Sequence, residues 1–229
     1  MEEYVHKKIE RIEFGFMGPK AIKEMASAKI VTPELYDKEG YPVDGGLMDI
    51  RLGVIDPGLK CKTCGGKLKE CPGHFGYIEL ARPVVHIKFI SLLYDLVRCT
   101  CRDCGRILIP KIKIDKCMED LERSELEGGL IARRDRIKEI ILELKTIYQC
   151  PYCKAKQYKI TLEKPTAFME EEKKISPIET RMRLEKIPDD DLKVFGVNPT
   201  ALRPEWTILT VMPIPSVTMR PSITLESGE

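Results

Sequence analysis

The chain has 229 residues, 43% apolar and 32% charged, enough for a packed core in one large domain or two small ones. Its net charge of +2 singles out no partner, no apolar run approaches the roughly 20 residues of a membrane span, and Met1-Glu2-Glu3-Tyr4 lacks a signal-peptide pattern, so an intracellular protein is expected. In that setting nine cysteines point to metal ligands before disulfides.

Val5–Phe16 alternates loosely through Ile9, Ile12, Phe14 and Phe16 and predicts a strand, with His6 in a polar leader. Pro19–Ala28 predicts a short helix with proline in its first turn. Thr32–Gly46 predicts turns, punctuated by Gly40-Tyr41-Pro42 and Gly45-Gly46. Val84–Val97 is apolar almost all round and predicts a buried helix, within which His86 is a satisfied core histidine. Ile107–Ile114 predicts a strand. Leu130–Tyr148 predicts the clearest amphipathic helix, with Ile137, Ile140, Ile141, Leu144 and Tyr148 at three- and four-residue steps. Ser176-Pro177-Ile178-Glu179 is a capping box that starts a helix ending near Lys186. Pro188–Phe195 predicts another short helix, ended by Gly196. Thr207–Val211 predicts a strand, after which Met212-Pro213-Ile214-Pro215 and Arg220-Pro221 break regular structure.

The chemistry lies in the cysteines. Cys61-x2-Cys64-x6-Cys71-x2-His74 offers four ligands on two short knuckles, the set a tetrahedral zinc needs. Cys101-x2-Cys104 and Cys150-x2-Cys153 make a second set. Their separation exceeds the usual zinc-ribbon spacing, which is acceptable if the insert folds and the amphipathic helix returns the later pair to the earlier one. Cys99 competes with Cys101, because Cys99-x-Cys101 is also a ligand spacing; knuckle geometry favours Cys101. Cys117 reads as a small, half-buried residue. Four protein ligands close each site, so both are expected to be structural rather than catalytic. A Cys-x-x-Cys redox pair needs a βαβ setting and typically a single pair, which makes a thiol oxidoreductase the weakest reading.

Phosphate-loop, His-Glu-x-x-His and Gly-x-Ser-x-Gly patterns are absent from the sequence, and no active site is expected in it. Asp189-Asp190-Asp191 follows a proline and reads as acids at the positive end of a helix rather than metal ligands. The stretch Arg98–Lys159 is mildly basic, a weak pointer to nucleic acid set against the plainer reading of solvated helix faces.

The first knuckle with its flanks, Asp56-Pro57-Gly58-Leu59-Lys60-Cys61 through Glu70-Cys71-Pro72-Gly73-His74-Phe75-Gly76, resembles the N-terminal part of the largest subunit of multisubunit DNA-directed RNA polymerases, of the archaeal A-prime type. Ile12-Glu13-Phe14-Gly15, Gly45-Gly46-Leu47-Met48-Asp49, Arg51-Leu52-Gly53, Gly196-Val197-Asn198-Pro199, Leu202-Arg203-Pro204-Glu205-Trp206 and Val211-Met212-Pro213-Ile214-Pro215 are similar to further blocks of that family. Ile50 departs from the family's usual proline.

The resemblance implies an α+β fold, an irregular clamp-core module stabilised by two structural zinc ions. It implies three blocks: 1–97 with Cys61, Cys64, Cys71 and His74; 98–160 with Cys101, Cys104, Cys150 and Cys153; and 161–229, which leads into the lid loop. The implied function is to close over DNA and the DNA–RNA hybrid during transcription. Nucleic-acid contacts are carried to Arg220 at the lid and to Lys29 and Lys38 in a zipper-like loop. Implied partners are the other polymerase subunits, especially the second-largest, with DNA, nascent RNA and initiation and elongation factors, and no membrane. The implied location is cytoplasmic, or nuclear in a eukaryote. The family's catalytic magnesium belongs to an Asp-rich motif beyond Glu229. The chain is therefore expected to be a fragment, an expression product or one piece of a split subunit, part of a nucleotidyltransferase but inactive alone. The alternative is a freestanding zinc-dependent regulator or interaction module derived from the clamp.

Overall fold

A computed structural model describes Lys8, Ile9, Ile12 and residues 14–220. His6 and the end of the expected lid lie outside the described residues. The fold is α+β and irregular: helices are joined to two small three-stranded sheets by long turns. The blocks 1–97, 98–160 and 161–229 divide the chain by motif. Contacts divide it by packing, into two compact units of discontinuous sequence. Unit one is Val85–Ile208 with the stretch up to Phe16; unit two is Met17–Val84 with the stretch from Leu209 on.

In unit one, α2 (Ile90–Cys99) buries Leu93, Leu96, Val97 and Cys99, the three- and four-residue spacing of one helix face. The Thr100 hydroxyl closes its end by donating to the Leu96 carbonyl at 2.7 Å. α3 (Lys111–Leu144) is interrupted at Gly129, whose φ of 68° and ψ of −162° are not helical, and it buries Ile114, Leu121, Ile140 and Leu144. Three short strands, β3 (Ile160–Glu163), β4 (Ala167–Glu170) and β5 (Lys173–Ile175), form an antiparallel meander. The Leu162–Phe168–Ile175 row turns inward, with Phe168 1% exposed.

α4 (Pro177–Glu185) starts at the expected place with half of the expected capping box: the Ser176 hydroxyl accepts from Glu179 N at 3.1 Å, while the Glu179 carboxylate pairs with Arg183 at 2.7 Å. Its Arg183 is buried and forms a bidentate pair with Glu170 of β4 at 3.1 and 2.8 Å, which ties the helix to the meander. α5 (Asp189–Val194) ends at Gly196, whose φ is 71° and whose N–H bonds the Lys193 carbonyl.

In unit two, α1 (Pro19–Met25) leads to β1 (Ala28–Lys29), which pairs in parallel with β2 (Gly76–Val85); β6 (Ile208–Ile214) completes a sheet of order β1-β2-β6. Ala28, Ile30, Met48, Leu52, Ile214 and Val217 form its core. The carboxylate of Asp49, fully buried, fastens the loop before the first metal knuckle by accepting from Gly45 N, Arg51 N and the Arg51 guanidinium. Burial works against this charge, yet those bonds hold the carboxyl below its usual range.

Several expected elements differ. The described residues of the expected Val5–Phe16 strand carry none, and Ile9, Ile12 and Phe14 are exposed. The helix expected over 84–97 starts only at Ile90, because Val84 and Val85 end β2 and Ile87–Phe89 is a 3-10 turn; just one face is buried, and Val84 and Ile87 are exposed. His86 is therefore not a core histidine: it is half-buried, its Nδ1 accepts from Lys88 N, and its ring stacks edge-on with Phe16 and Phe89. The strand expected over 107–114 is one bridge, Thr100 to Ile107, followed by α3 from Lys111. The last strand continues through Met212-Pro213-Ile214, which proline allows on a sheet edge.

Candidate metal centres

Each metal group is built from knuckles that the backbone preforms. In the first, Cys61 N bonds Gly66 O at 2.9 Å and Gly65 N bonds Cys61 O at 2.8 Å, while Thr63 N points at Cys61 Sγ at 3.4 Å. The return arm repeats the pattern with Gly73 N aimed at Cys71 Sγ, and His74 N anchors on Leu52 O at 3.0 Å. In the second, Cys101 N bonds Arg106 O and Gly105 N bonds Cys101 O; Cys150 N bonds Ala155 O and Lys154 N bonds Cys150 O. Gly105 is required twice over. Its φ is 74°, and a Cβ there would lie 2.5 Å from Lys186 O.

The structure gathers Cys61, Cys64, Cys71 and His74 in unit two and Cys101, Cys104, Cys150 and Cys153 in unit one, with the ligand atoms of each group within 4.8 Å of one another. The Sγ atoms of Cys64 and Cys71 are 3.5 Å apart, those of Cys101 and Cys153 3.5 Å, and those of Cys104 and Cys150 3.7 Å. All nine cysteines are free of disulfides. A tetrahedral zinc with Zn–S bonds of 2.3 Å separates its sulfurs by about 3.8 Å, close to these distances. His74 supplies an independent test of fit: its Nε2 is buried and finds no hydrogen-bond partner among the described residues, as befits a lone pair kept for a cation.

The electrostatics agree. Burial pushes the Cys71 thiol up to about 11 and the Cys104 thiol up to about 12, so neither ionises near neutral pH without a positive charge beside it. Cys153 is exposed, and the Ala155 N–H holds it down to about 7. A divalent cation would supply the charge the buried thiols lack. Four ligands per group leave no open coordination position for a substrate.

Cys99 stands apart. It is buried at the end of α2, its Sγ faces Ile141 O at 3.8 Å, and burial pushes it up to about 12. Cys117 is half-buried on α3, outside both groups. The acids Asp189, Asp190 and Asp191 do occupy the first turn of α5, but they diverge. Asp189 pairs with Arg203 and Asp190 with Lys193 at the surface. Asp191 is buried and accepts from Ile107 N and Arg106 Nε, both at 2.9 Å, which fastens α5 to the second knuckle.

Sequence reasoning missed two supports of the second group. The Gln157 amide donates to Cys101 Sγ at 3.4 Å and accepts from Arg102 N, while Arg106 stacks 4.5 Å over Tyr152, whose hydroxyl bonds Ile109 O. Gln157 lies just past the last cysteine, a weak signal; the Arg106–Asp191 pair is too distant in sequence to leave one.

Of the basic residues expected at nucleic acid, Lys38 is exposed on the turn after Asp37. Lys29 pairs with Glu79. The Arg220 guanidinium donates to Leu47 O at 2.7 Å and Pro215 O at 3.2 Å. Among the described residues, no helix is long and apolar enough to cross a membrane.

Two four-ligand groups on preformed knuckles define the class: an irregular α+β module with two groups that could each hold a metal ion. Residues 6–229 match the family described as RNA polymerase Rpb1, domain 1, and the chain belongs to that family. It is 50% identical over its whole length to the DNA-directed RNA polymerase subunit Rpo1N of Methanocaldococcus jannaschii, covering 17% of that protein. The subunits of the same name from Methanothermobacter thermautotrophicus (strain Delta H) and Sulfolobus acidocaldarius are 50% and 47% identical over 97% of the chain. The chain spans about a quarter of the length of those two relatives, 25% and 26%. The resemblance read from the Cys-Pro-Gly-His block is thereby shown.

Proposed function

We propose that the chain is the clamp-core part of the largest subunit of a DNA-directed RNA polymerase, holding one structural zinc ion in each four-ligand group. The observation that carries this reading is that both complete ligand sets fall inside the stretch matched to the family. In the first site Cys61, Cys64, Cys71 and His74 bind the ion; in the second, Cys101, Cys104, Cys150 and Cys153. The zinc does no catalysis. It turns loop closure into folding energy for segments with small cores of their own, such as the Val54–Cys61–Cys71 cluster.

As a clamp the module closes over DNA and the DNA–RNA hybrid, with phosphate contacts that carry no sequence preference. Arg220, Lys29 and Lys38 are the candidate phosphate contacts; Arg220 also holds backbone at Leu47 and Pro215, and Lys29 also pairs with Glu79. Its partners are the second-largest and other polymerase subunits, DNA, nascent RNA and factors that act on the clamp, in the cytoplasm of an archaeal cell. Nucleotidyl transfer, with its magnesium, belongs to the rest of the enzyme, and this chain alone is inactive. The test is metal analysis of the purified chain, then assembly with the remaining subunits. Two zinc ions per chain and entry into an enzyme that retains DNA are expected; fewer ions, or exclusion from the assembly, overturns the reading.

A further inference from the structure

The ligand loop of the first metal group is packed directly on the segment Pro215–Arg220. A Cβ on Gly73, between ligands Cys71 and His74, would lie 2.5 Å from Ser216 Oγ and 2.6 Å from Thr218 Oγ1. A Cβ on Gly53 would meet Gly73 Cα at 3.5 Å, Thr218 Cγ2 at 3.6 Å and Cys71 Sγ at 3.8 Å. A ligand sulfur and the segment thus both border the space over Gly53, where a single added carbon would touch both. Ser216 and Val217 are 3% and 1% exposed, and Val217 belongs to the same core as Leu52 and Ile214.

Hydrogen bonds complete a circuit. The metal loop reaches residues 50–52 at three points: Lys62 N to Ile50 O at 3.3 Å, the Thr63 hydroxyl to Arg51 O at 2.7 Å, and His74 N to Leu52 O at 3.0 Å. Asp49 joins that stretch to Gly45. From the other side the Arg220 guanidinium closes on Leu47 O and on Pro215 O in its own segment. The turn Ser216–Arg220 is shut by Met219 N to Ser216 O at 3.1 Å and Arg220 N to Val217 O at 3.0 Å.

We infer that metal site one and the segment Pro215–Arg220 are one coupled element: filling the site fixes the place from which the chain departs beyond Arg220, and Arg220 is the latch that transmits it. This deepens the zinc reading above and rests on it. Occupancy of a structural metal then sets the position of the lid's root. Because such coupling is reciprocal, loosening the latch must weaken the metal.

The experiment is hydrogen exchange by mass spectrometry on the purified chain, with zinc content measured in parallel. Cys64→Ser, which removes an exposed ligand of site one, is expected to speed exchange at the Met219 and Arg220 amides on the order of tenfold. It should leave the Gly105 and Lys154 amides of site two unchanged; Cys153→Ser should do the opposite. Arg220→Ala keeps every ligand, so it tests the coupling even if the ligand variant unfolds unit two. It should release zinc from site one at a several-fold lower chelator concentration, with site two unaffected. The inference is overturned if the Met219 and Arg220 amides ignore a demonstrably empty site one, or if Arg220→Ala retains site-one zinc like the parent. A parent chain that carries no zinc fails the underlying reading instead, and the metal analysis tells the two failures apart.

Discussion

Replacing Asp191 by alanine should be far more damaging than the same change at its neighbour Asp190. Asp191 is 1% exposed and serves two donors, Ile107 N at 2.9 Å and the Arg106 guanidinium at 2.9 and 3.3 Å. Alanine leaves the Ile107 N–H buried without that acceptor, which costs about 1–3 kcal/mol. It also strands Arg106, but that side chain is 34% exposed and stacked on Tyr152, so water and the ring compensate in part. The total therefore stays at or below the lower edge of the range for breaking a fully buried pair, about 3 kcal/mol. For a chain of this size that is a fall in Tm of roughly 6–12 °C. Asp190 pairs with Lys193 at the surface, one turn along the same helix, and its loss should stay within about 0.5 kcal/mol. Asp191→Asn keeps an acceptor for Ile107 and should fall between. The assay is urea and thermal unfolding followed by circular dichroism, on samples verified to hold equal zinc. Equal destabilisation by the two alanine variants would refute the assignment of Asp191 as the anchor of the second knuckle.

Three further outcomes are expected. Cys99→Ser should retain two zinc ions per chain and Cys101→Ser only one, read by elemental mass spectrometry; a loss from Cys99→Ser contradicts the ligand set. Gly105→Ala forces a side chain into a left-handed turn and against Lys186, a strain of about 1–3 kcal/mol, and should lower the chelator concentration that empties site two alone. Lys23 first and Lys29 second hold the exposed Glu79 carboxyl down to about 2, against an ordinary 4.5. Its contribution is therefore complete above pH 4.5 and lost as pH falls toward 2, and Glu79→Gln should flatten that part of an acid-unfolding curve.

Features written in local sequence were legible. The spacing within each ligand pair, the Ser176 N-cap and the Gly196 helix stop each depend on residues within a few positions, and each stands in the structure. Choosing Cys101 over Cys99 followed from knuckle geometry alone. Failures came where tertiary contacts decide. β2 was hidden because Gly76–Val85 contains Ala81, Arg82 and Pro83 and alternates poorly; it is a strand because β1 and β6 flank it. The β3–β5 meander has strands of only three or four residues, below the length at which alternation is distinctive. The apolar run before Val97 was read as one helix because uniform hydrophobicity hides the point where a strand gives way to a 3-10 turn and then to a helix. The division into interleaved units rests on pairings between segments far apart in sequence, which no local pattern records.

That interleaving dictates an order of events during synthesis. Site one can close once His74 has emerged from the ribosome, since its four ligands lie between Cys61 and that residue. The sheet beside it cannot, because β6 begins only at Ile208, after the whole of Val85–Thr207 has been made. A nascent chain must therefore carry an unfinished sheet edge while all of Val85–Thr207 is being made. A metal ion captured early by these four ligands would give that half-built unit a fixed point while it waits for its last strand.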